Sequence, residues 1–193
     1  MAAPELFTGR LILRSFRETD IEAVFRIFSD ETVNRFLPWF PLKTMAEAKT
    51  FYAENYARSA RYRYAICLRE DSVPIGYVNI SDAEPYDLGY GLITEHWNRG
   101  IVTEACAALL KAAGEDGLPY VTATHDRDNP ASGRVMEKLG MRYLYSYEEQ
   151  WQPKNLRVTF RLYQLNLDGS RDRMCRKYWD ESDVHCIEEG LGD

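Results

Sequence analysis

The sequence predicts an α+β fold in which a mixed, mainly antiparallel sheet carries helices on its faces, and three observations predict it. Two amphipathic helices with N-terminal capping signals come early. A run of three strands separated by turn-rich segments follows, and then a glycine-bearing turn leads from a strand straight into a helix, with a further strand, helix and two strands after it. The order reads βααβββαβαββ.

Leu11–Leu13 between Arg10 and Arg14 forms the first short strand. Thr19 with Glu22 caps a helix bearing Ile21, Val24, Phe25 and Phe28. Thr44 with Glu47 caps a second bearing Ala48, Phe51, Tyr52 and Tyr56. Pro38-Trp39-Phe40-Pro41 breaks regular structure between them and packs or lines a pocket. The meander Tyr64–Leu68, Ile75–Ile80 and Leu88–Ile93 is punctuated by Glu70–Pro74 and Asp82–Asp87. Val102, Ala105, Cys106, Leu109 and Leu110 repeat at helical spacing up to Gly114, which is placed to end that helix; Tyr120–Thr124 follows as a strand. Asn129 caps a helix with Pro130 at its first position, Val135 and Leu139 on its inner face and Gly140 at its end. Met141–Gln150 and Leu156–Leu165 are the last two strands.

A chain of 193 residues, 45% hydrophobic and 13% aromatic, can bury one sizeable core: one domain over residues 1–165 with a tail at 166–193. Tyr178, Trp179, Met174 and Ile187 in that tail suggest a short helix docked on the domain or on a second subunit, which would make a homodimer; terminal disorder is the alternative. No apolar run approaches a membrane span, and Met1–Arg10 lacks the layout of a signal peptide, so a soluble, cytoplasmic protein without membrane partners is expected. Cys67, Cys106, Cys175 and Cys186 lack any tight spacing, which fits a reducing compartment, and no metal site is expected. A net charge of -6 without a basic stripe argues against nucleic acid and favours a cationic substrate.

The segment with most chemical content is Gly89–Ile93 followed by Glu95–Ala105. Unpaired N–H groups and the positive dipole end at a helix N-terminus after a glycine turn make an anion site, where a pyrophosphate fits; an ordinary strand-to-helix turn is the bland alternative. Taken with element order, Gly89-Tyr90-x-Leu92, Arg99-Gly100-x-x-Thr103-Glu104-Ala105, Asn129-x-x-Ser132 and Lys138-Leu139-Gly140-Met141 resemble the GNAT superfamily of N-acetyltransferases, specifically its RimJ/RimL-like branch. The resemblance covers about residues 7–165.

That resemblance implies a V-shaped opening between the strands at Leu88–Ile93 and Tyr120–Thr124, where acetyl-CoA lies as cosubstrate and an amine attacks its thioester directly. Gly91, Leu92 and Ile93 would offer main-chain partners to the pantetheine. Asn98, Arg99, Gly100, Ile101, Val102 and Thr103 would surround the pyrophosphate, and Asn129 would meet the pantetheine arm while capping its helix. Asn98 and Val102 stand where the family has small residues. Many members place an acid tyrosine seven residues after the motif asparagine, and here that position is Met136. The branch's serine corresponds to Ser132, the candidate acid, with helix capping as its other reading. The branch's base glutamate falls on Trp151, so Glu149, two residues earlier on the same strand face, is the replacement candidate, with a solvated strand-end charge as its alternative. His96 and His125 flank the region without an assigned role, and Glu104 is explained by its favourable place at a helix N-terminus.

Presenting a neutral amine at pH 7 costs about 4–5 kcal/mol for an alkyl ammonium but only about 1–1.4 kcal/mol for an α-amino group. A site with a weak base therefore favours the N-terminal amine of a protein or peptide over a small-molecule amine. A non-catalytic acyl-CoA-binding or protein-interaction module on the same fold is the rival reading.

Overall fold

In the computed structural model, residues 4–58 and 60–191 are described. Met1–Ala3, at the start of the segment read for targeting, and Gly192 and Asp193, at the end of the tail, lie outside the described residues, as does Ser59. The elements run β1 (Leu6–Phe7), β2 (Leu11–Arg14), α1 (Ile21–Ser29), α2 (Glu31–Asn34), α3 (Met45–Asn55), β3 (Arg63–Leu68), β4 (Pro74–Ile80), β5 (Leu88–Leu92), α4 (Ile101–Glu115), β6 (Tyr120–Asp126), α5 (Pro130–Lys138), β7 (Arg142–Trp151), β8 (Leu156–Asn166), α6 (Lys177–Glu181) and β9 (His185–Cys186). The expected order is present from β2 to β8, with β1 and α2 as additions and with α6 and β9 following in the tail. No helix among the described residues is long and apolar enough to cross a membrane.

Two antiparallel sheets are formed, β1-β2-β3-β4-β5 and β6-β8-β7-β9. Among the described residues they meet at one parallel bridge, Asp87 to Thr122, reinforced by the Thr122 N–H donating to the Tyr86 carbonyl at 3.3 Å. Past that apex β5 and β6 diverge. Among the described residues no strand satisfies the main-chain groups on their facing edges past the apex, and such edges are receptive to an extended ligand.

Side chains alternate across the first sheet. Tyr77 of β4 stacks on Phe28 of α1 with ring centroids 5.2 Å apart, and Phe28 in turn meets Phe51 of α3 at 4.5 Å. Tyr90 of β5, opposite Val78, points to the other face, where its hydroxyl meets Ser132 of α5. The core thus lies on both sides of β3–β5, with Val24, Ile27, Phe28 and Ala48 on the α1/α3 side and Ala105, Cys106 and Leu109 supplied by α4.

Three local expectations are corrected. Thr19 does not cap α1: a 3-10 turn over Glu18–Asp20 precedes the helix, and Asp20 turns inward to accept two hydrogen bonds from the buried Arg14 guanidinium, at 2.7 and 3.0 Å. Removing one partner of that satisfied pair would strand a buried charge. Gly114 does not end α4, which runs to Glu115; the left-handed residue is Gly117, at φ 83°. The inner face of α5 centres on Gly133 and the fully buried Met136, while Val135 and Leu139 are only half-buried. Thr44 does cap α3, its Oγ1 accepting from the Glu47 N–H at 3.2 Å.

The segment after Asn166 folds back over the second sheet. Tyr178 of α6 stacks on Tyr147 of β7 at 4.8 Å with rings nearly parallel, Trp179 packs edge-on to Tyr145, and β9 pairs with Ser146 and Tyr147. The Tyr178 hydroxyl donates to the Asp87 carboxylate at the apex, and Arg161 holds Glu188. Burying a large side chain is worth about 1.5–3 kcal/mol. Truncation after Asn166 is therefore expected to lower the unfolding free energy by about 3 kcal/mol or more, measured by urea denaturation; an unshifted midpoint would show that these contacts carry no stability.

Candidate active site

Asn98, at φ 59°, and Gly100, at φ 72°, are both left-handed and swing the chain from β5 into α4. Asparagine tolerates that conformation better than other residues with a Cβ, which accounts for Asn98 in the turn. Gly100 is the N-cap of α4 and gives no side-chain cap, so the N–H groups of Ile101, Val102 and Thr103 are left for a ligand. Glu104, in the same first turn, would repel an anion if its charge were free. Instead it accepts from Thr8 Oγ1 at 2.6 Å, the Arg10 N–H at 3.0 Å and Arg10 Nε at 2.7 Å, while Arg10 Nη1 donates to the Arg99 carbonyl at 2.9 Å. Burial pushes the Glu104 carboxyl up, but the bonds from Thr8 and Arg10 outweigh it and leave the group below the usual carboxylate range. The β1–β2 hairpin thereby neutralises and braces the loop.

A cavity of about 480 Å³ runs along this loop. Gly91, Leu92, Asn98, Gly100, Ile101, Val102, Thr103 and Asn129 of the expected set line it. Arg99 does not; its carbonyl is turned to Arg10. Ile93 does not either, because its N–H donates to the Ile75 carbonyl at 2.9 Å and its side chain is buried. The same alternation turns the main-chain groups of Gly91 to Tyr77 of β4, so the free edge of β5 belongs to Tyr90 and Leu92. Gly91 contributes by lacking a side chain, since a Cβ there would sit 2.5 Å from the Tyr77 ring. The Leu92 carbonyl accepts from Trp97 Nε1 at 2.7 Å.

A second cavity, of about 360 Å³, opens on the α1/α2 face between the β4–β5 edge, the loop after α2, and Trp151 and Phe160 of the second sheet. Trp39 of the aromatic loop lines it while also packing on Phe28. The two cavities meet at Val33, Phe36, Tyr90, Gly91, Asn129 and Ser132. Their charges are opposite. Among the described residues the loop-side lining holds Arg35, Arg134 and Lys138 without a carboxylate, whereas the second lining holds Asp87 and Asp126 without Lys or Arg.

Ser132 lies at the seam. Its N–H is held at 3.4 Å by Asn129 Oδ1, the helix cap, and its Oγ is 2.9 Å from the Tyr90 hydroxyl, which also donates to the Ser132 carbonyl at 2.9 Å. Burial pushes the Tyr90 phenol far up, with the Ser132 contact opposing. Glu149 is not brought to the seam: it is exposed on β7, on the face shared with Tyr147 and Trp151 and outside both linings. Partial burial raises its carboxyl, a bond from Trp151 opposes this, and the charge of Asp87 adds to the rise. Thus the two candidate catalytic residues sit in different places. Sequence reasoning also missed Val33, Phe36 and Arg35, which α2 and its exit supply; Asp30, whose side chain accepts from the Thr32 and Val33 N–H groups, was the available capping signal.

His125 is 4% exposed, with Nδ1 donating to the Asp126 carbonyl at 2.8 Å and Nε2 buried without a partner among the described residues under Gly133, where a Cβ would approach to 2.7 Å.

A divided sheet whose split joins a cationic cavity to an acidic one through a seam of hydroxyl and amide groups is laid out to bring two substrates together, which is the work of a transferase. Residues 10–142 match the acetyltransferase (GNAT) domain. The uncharacterized N-acetyltransferase YnaD of Bacillus subtilis (strain 168) is 30% identical over 139 residues, a span of 70% of this chain and 81% of that protein. Among solved structures, the acetyltransferase (GNAT family) from Bacillus anthracis superposes with a TM-score of 0.76 at 25% identity, over 86% of this chain and 99% of that one. RimL, a ribosomal L7/L12 alpha-N-protein acetyltransferase solved with coenzyme A, shares the fold at a TM-score of 0.70 and 15% identity, over 86% of this chain and 100% of that one. The chain belongs to the GNAT family of acetyltransferases.

Burial lowers the His125 pKa below its ordinary value of 6.5. As pH falls through about 6.5 the unfolded chain takes up a proton that the folded chain refuses, so stability decreases with acidification. His125→Gln is expected to flatten that part of the stability-versus-pH curve, read by urea midpoints between pH 7 and 5; an identical slope in wild type and variant would assign it to other groups.

Proposed function

We propose that this chain transfers the acetyl group of acetyl-CoA to a primary amine by direct attack on the thioester, with the N-terminal α-amine of a protein or peptide preferred over a small-molecule amine. The observation that carries the reading is the meeting of the two oppositely charged cavities at Tyr90, Gly91, Asn129 and Ser132. The loop-side cavity suits the cosubstrate. The uncapped N-terminus of α4 faces the diphosphate, Arg35, Arg134 and Lys138 supply positive charge, and the main-chain groups of Tyr90 and the N–H of Leu92 on the free edge of β5 are available to the amides of the pantetheine, the Leu92 carbonyl being held by Trp97. RimL, the fold neighbour solved with coenzyme A, is an alpha-N-protein acetyltransferase by its name.

The acidic cavity suits the acceptor. Asp87 and Asp126 attract an ammonium, and the faces of Trp39, Tyr77, Trp151 and Phe160 can meet a cation or an apolar first side chain. Placing Glu149 away from the seam removes a strong base from the nitrogen's surroundings, which fits an amine that loses its proton readily, as an α-amine does. Ser132 at the seam is the proton donor for the departing sulfur in this reading, and Glu149 is at most a distant acceptor reached through water. The second reading, a binding module without turnover, is favoured by Met136, whose full burial leaves that position of α5 without an acidic group.

The test is calorimetric titration with acetyl-CoA followed by thiol release against α-amino peptides and alkyl amines. Binding with faster release for the peptides supports the proposal; binding without release from any amine supports the module; no binding removes both. Arg10→Ala unmasks Glu104 beside the diphosphate site and is expected to weaken acetyl-CoA binding about five- to tenfold, in line with about 1–1.4 kcal/mol for a charge at a helix end. An unchanged Kd would show that the brace does not serve the ligand.

A further inference from the structure

The hydroxyl of Tyr90 is the only side-chain partner of Ser132 Oγ among the described residues, and it reaches Ser132 from a strand on the opposite side of the split. Both residues line both cavities. The Ser132 carbonyl can only accept, so the phenol proton is directed to it or to Oγ, and the pair holds two exchangeable protons across one 2.9 Å contact. On α5 itself, Met136 is sealed in the core and offers nothing in its place. We propose that Tyr90 and Ser132 act as a single proton-donating unit for the leaving thiolate, with Tyr90 as the positioning residue that fixes Ser132 Oγ and refills its proton. The inference rests on the transferase reading above.

The balance closes within the site. The acceptor nitrogen forms its bond to the acetyl carbonyl carbon as the carbon–sulfur bond breaks. The electron pair stays on sulfur, which takes the Ser132 hydroxyl proton, and Ser132 takes the phenol proton of Tyr90. The proton given up by the new amide nitrogen returns through water to the Tyr90 oxygen, so the amine and the thioester become amide and thiol with no other reactant. Burial raises the phenol's pKa, which keeps Tyr90 protonated until it is called upon. The charge that would form on it is short-lived, since the returning proton neutralises it.

The experiment compares wild type with Tyr90→Phe, Ser132→Ala and the double variant, measuring kcat, the alkaline limb of its pH profile, calorimetric acetyl-CoA affinity and melting temperature. Each single variant is expected to lose about a hundredfold in kcat, a usual size for general acid catalysis, with acetyl-CoA affinity and melting little changed, and the double variant is expected to lose no more than either single one. Difluorotyrosine at position 90, whose phenol is more acidic, is expected to restore turnover and move the alkaline limb to lower pH. Full turnover by Tyr90→Phe, losses that multiply in the double variant, or an alkaline limb that ignores fluorination would each overturn the unit. If Tyr90→Phe unfolds, the difluorotyrosine protein alone decides through its pH limb. A wild-type protein that neither binds acetyl-CoA nor releases thiol would instead overturn the transferase reading, a result distinct from any of these.

Discussion

Between β5 and β6 the described residues make one ladder contact, Asp87 to Thr122, and the site exists because the ladder stops there. Were pairing to continue, the edge of β5 would be spent on β6 and no extended ligand could lie between them. Were the contact missing, the two sheets would have no common origin. The apex is accordingly well secured: Thr122 is fully buried, its hydroxyl shares its proton between the Pro85 carbonyl and the Asp87 carboxylate, and Tyr178 closes on Asp87 from the other direction. A half-buried carboxylate with both oxygens engaged is costly to displace, because its hydrogen bonds would have to be given up together.

From the apex outward, each cavity takes its character from a different part of the chain. The loop side is built of backbone N–H groups and of arginine and lysine on α5 and beside α2; the other cavity is built of aromatic walls and of carboxylates on β6 and just before β5. The overall charge of -6 conceals this division. Positive charge is concentrated in the loop-side cavity, and Glu104, in the first turn of α4, is tied to Arg10 and Thr8 from a hairpin more than ninety residues earlier in sequence.

Much of the fold was legible because its signals are local. Strand alternation, the Thr44 cap, and Asn129 before Pro130 reported the conformation of their own neighbourhoods, and Gly100 marked the turn into α4. Features set by tertiary contact were not legible. Thr19 lost its capping role because Asp20 is needed for the buried Arg14, and Gly114 remained helical because Gly117 could take the left-handed position. In the site, the loop residues were found from the turn itself, but the parity of β5, which turns Tyr90 and Leu92 rather than Gly91 and Ile93 to the open edge, depends on pairing with β4. Tyr90 could be quoted as part of a motif, yet its partner lies 42 residues away across the split, and no spacing rule connects them. Glu149 shares its face with Trp151 as strand geometry requires, but a shared face did not place it at the seam.

Away from the apex, Lys154 on the β7–β8 turn donates from Nζ to the carbonyls of Asn34, at 3.0 Å, and Arg35, at 3.4 Å, where α2 ends. Cations are favoured at such a helix end. Together with the bridge at Asp87 this contact ties the second sheet to the first half of the chain at two separate points, one just before β5 and one at the end of α2. Sliding of one sheet against the other would have to break both ties at once, so the width of the gap between them is fixed from two sides.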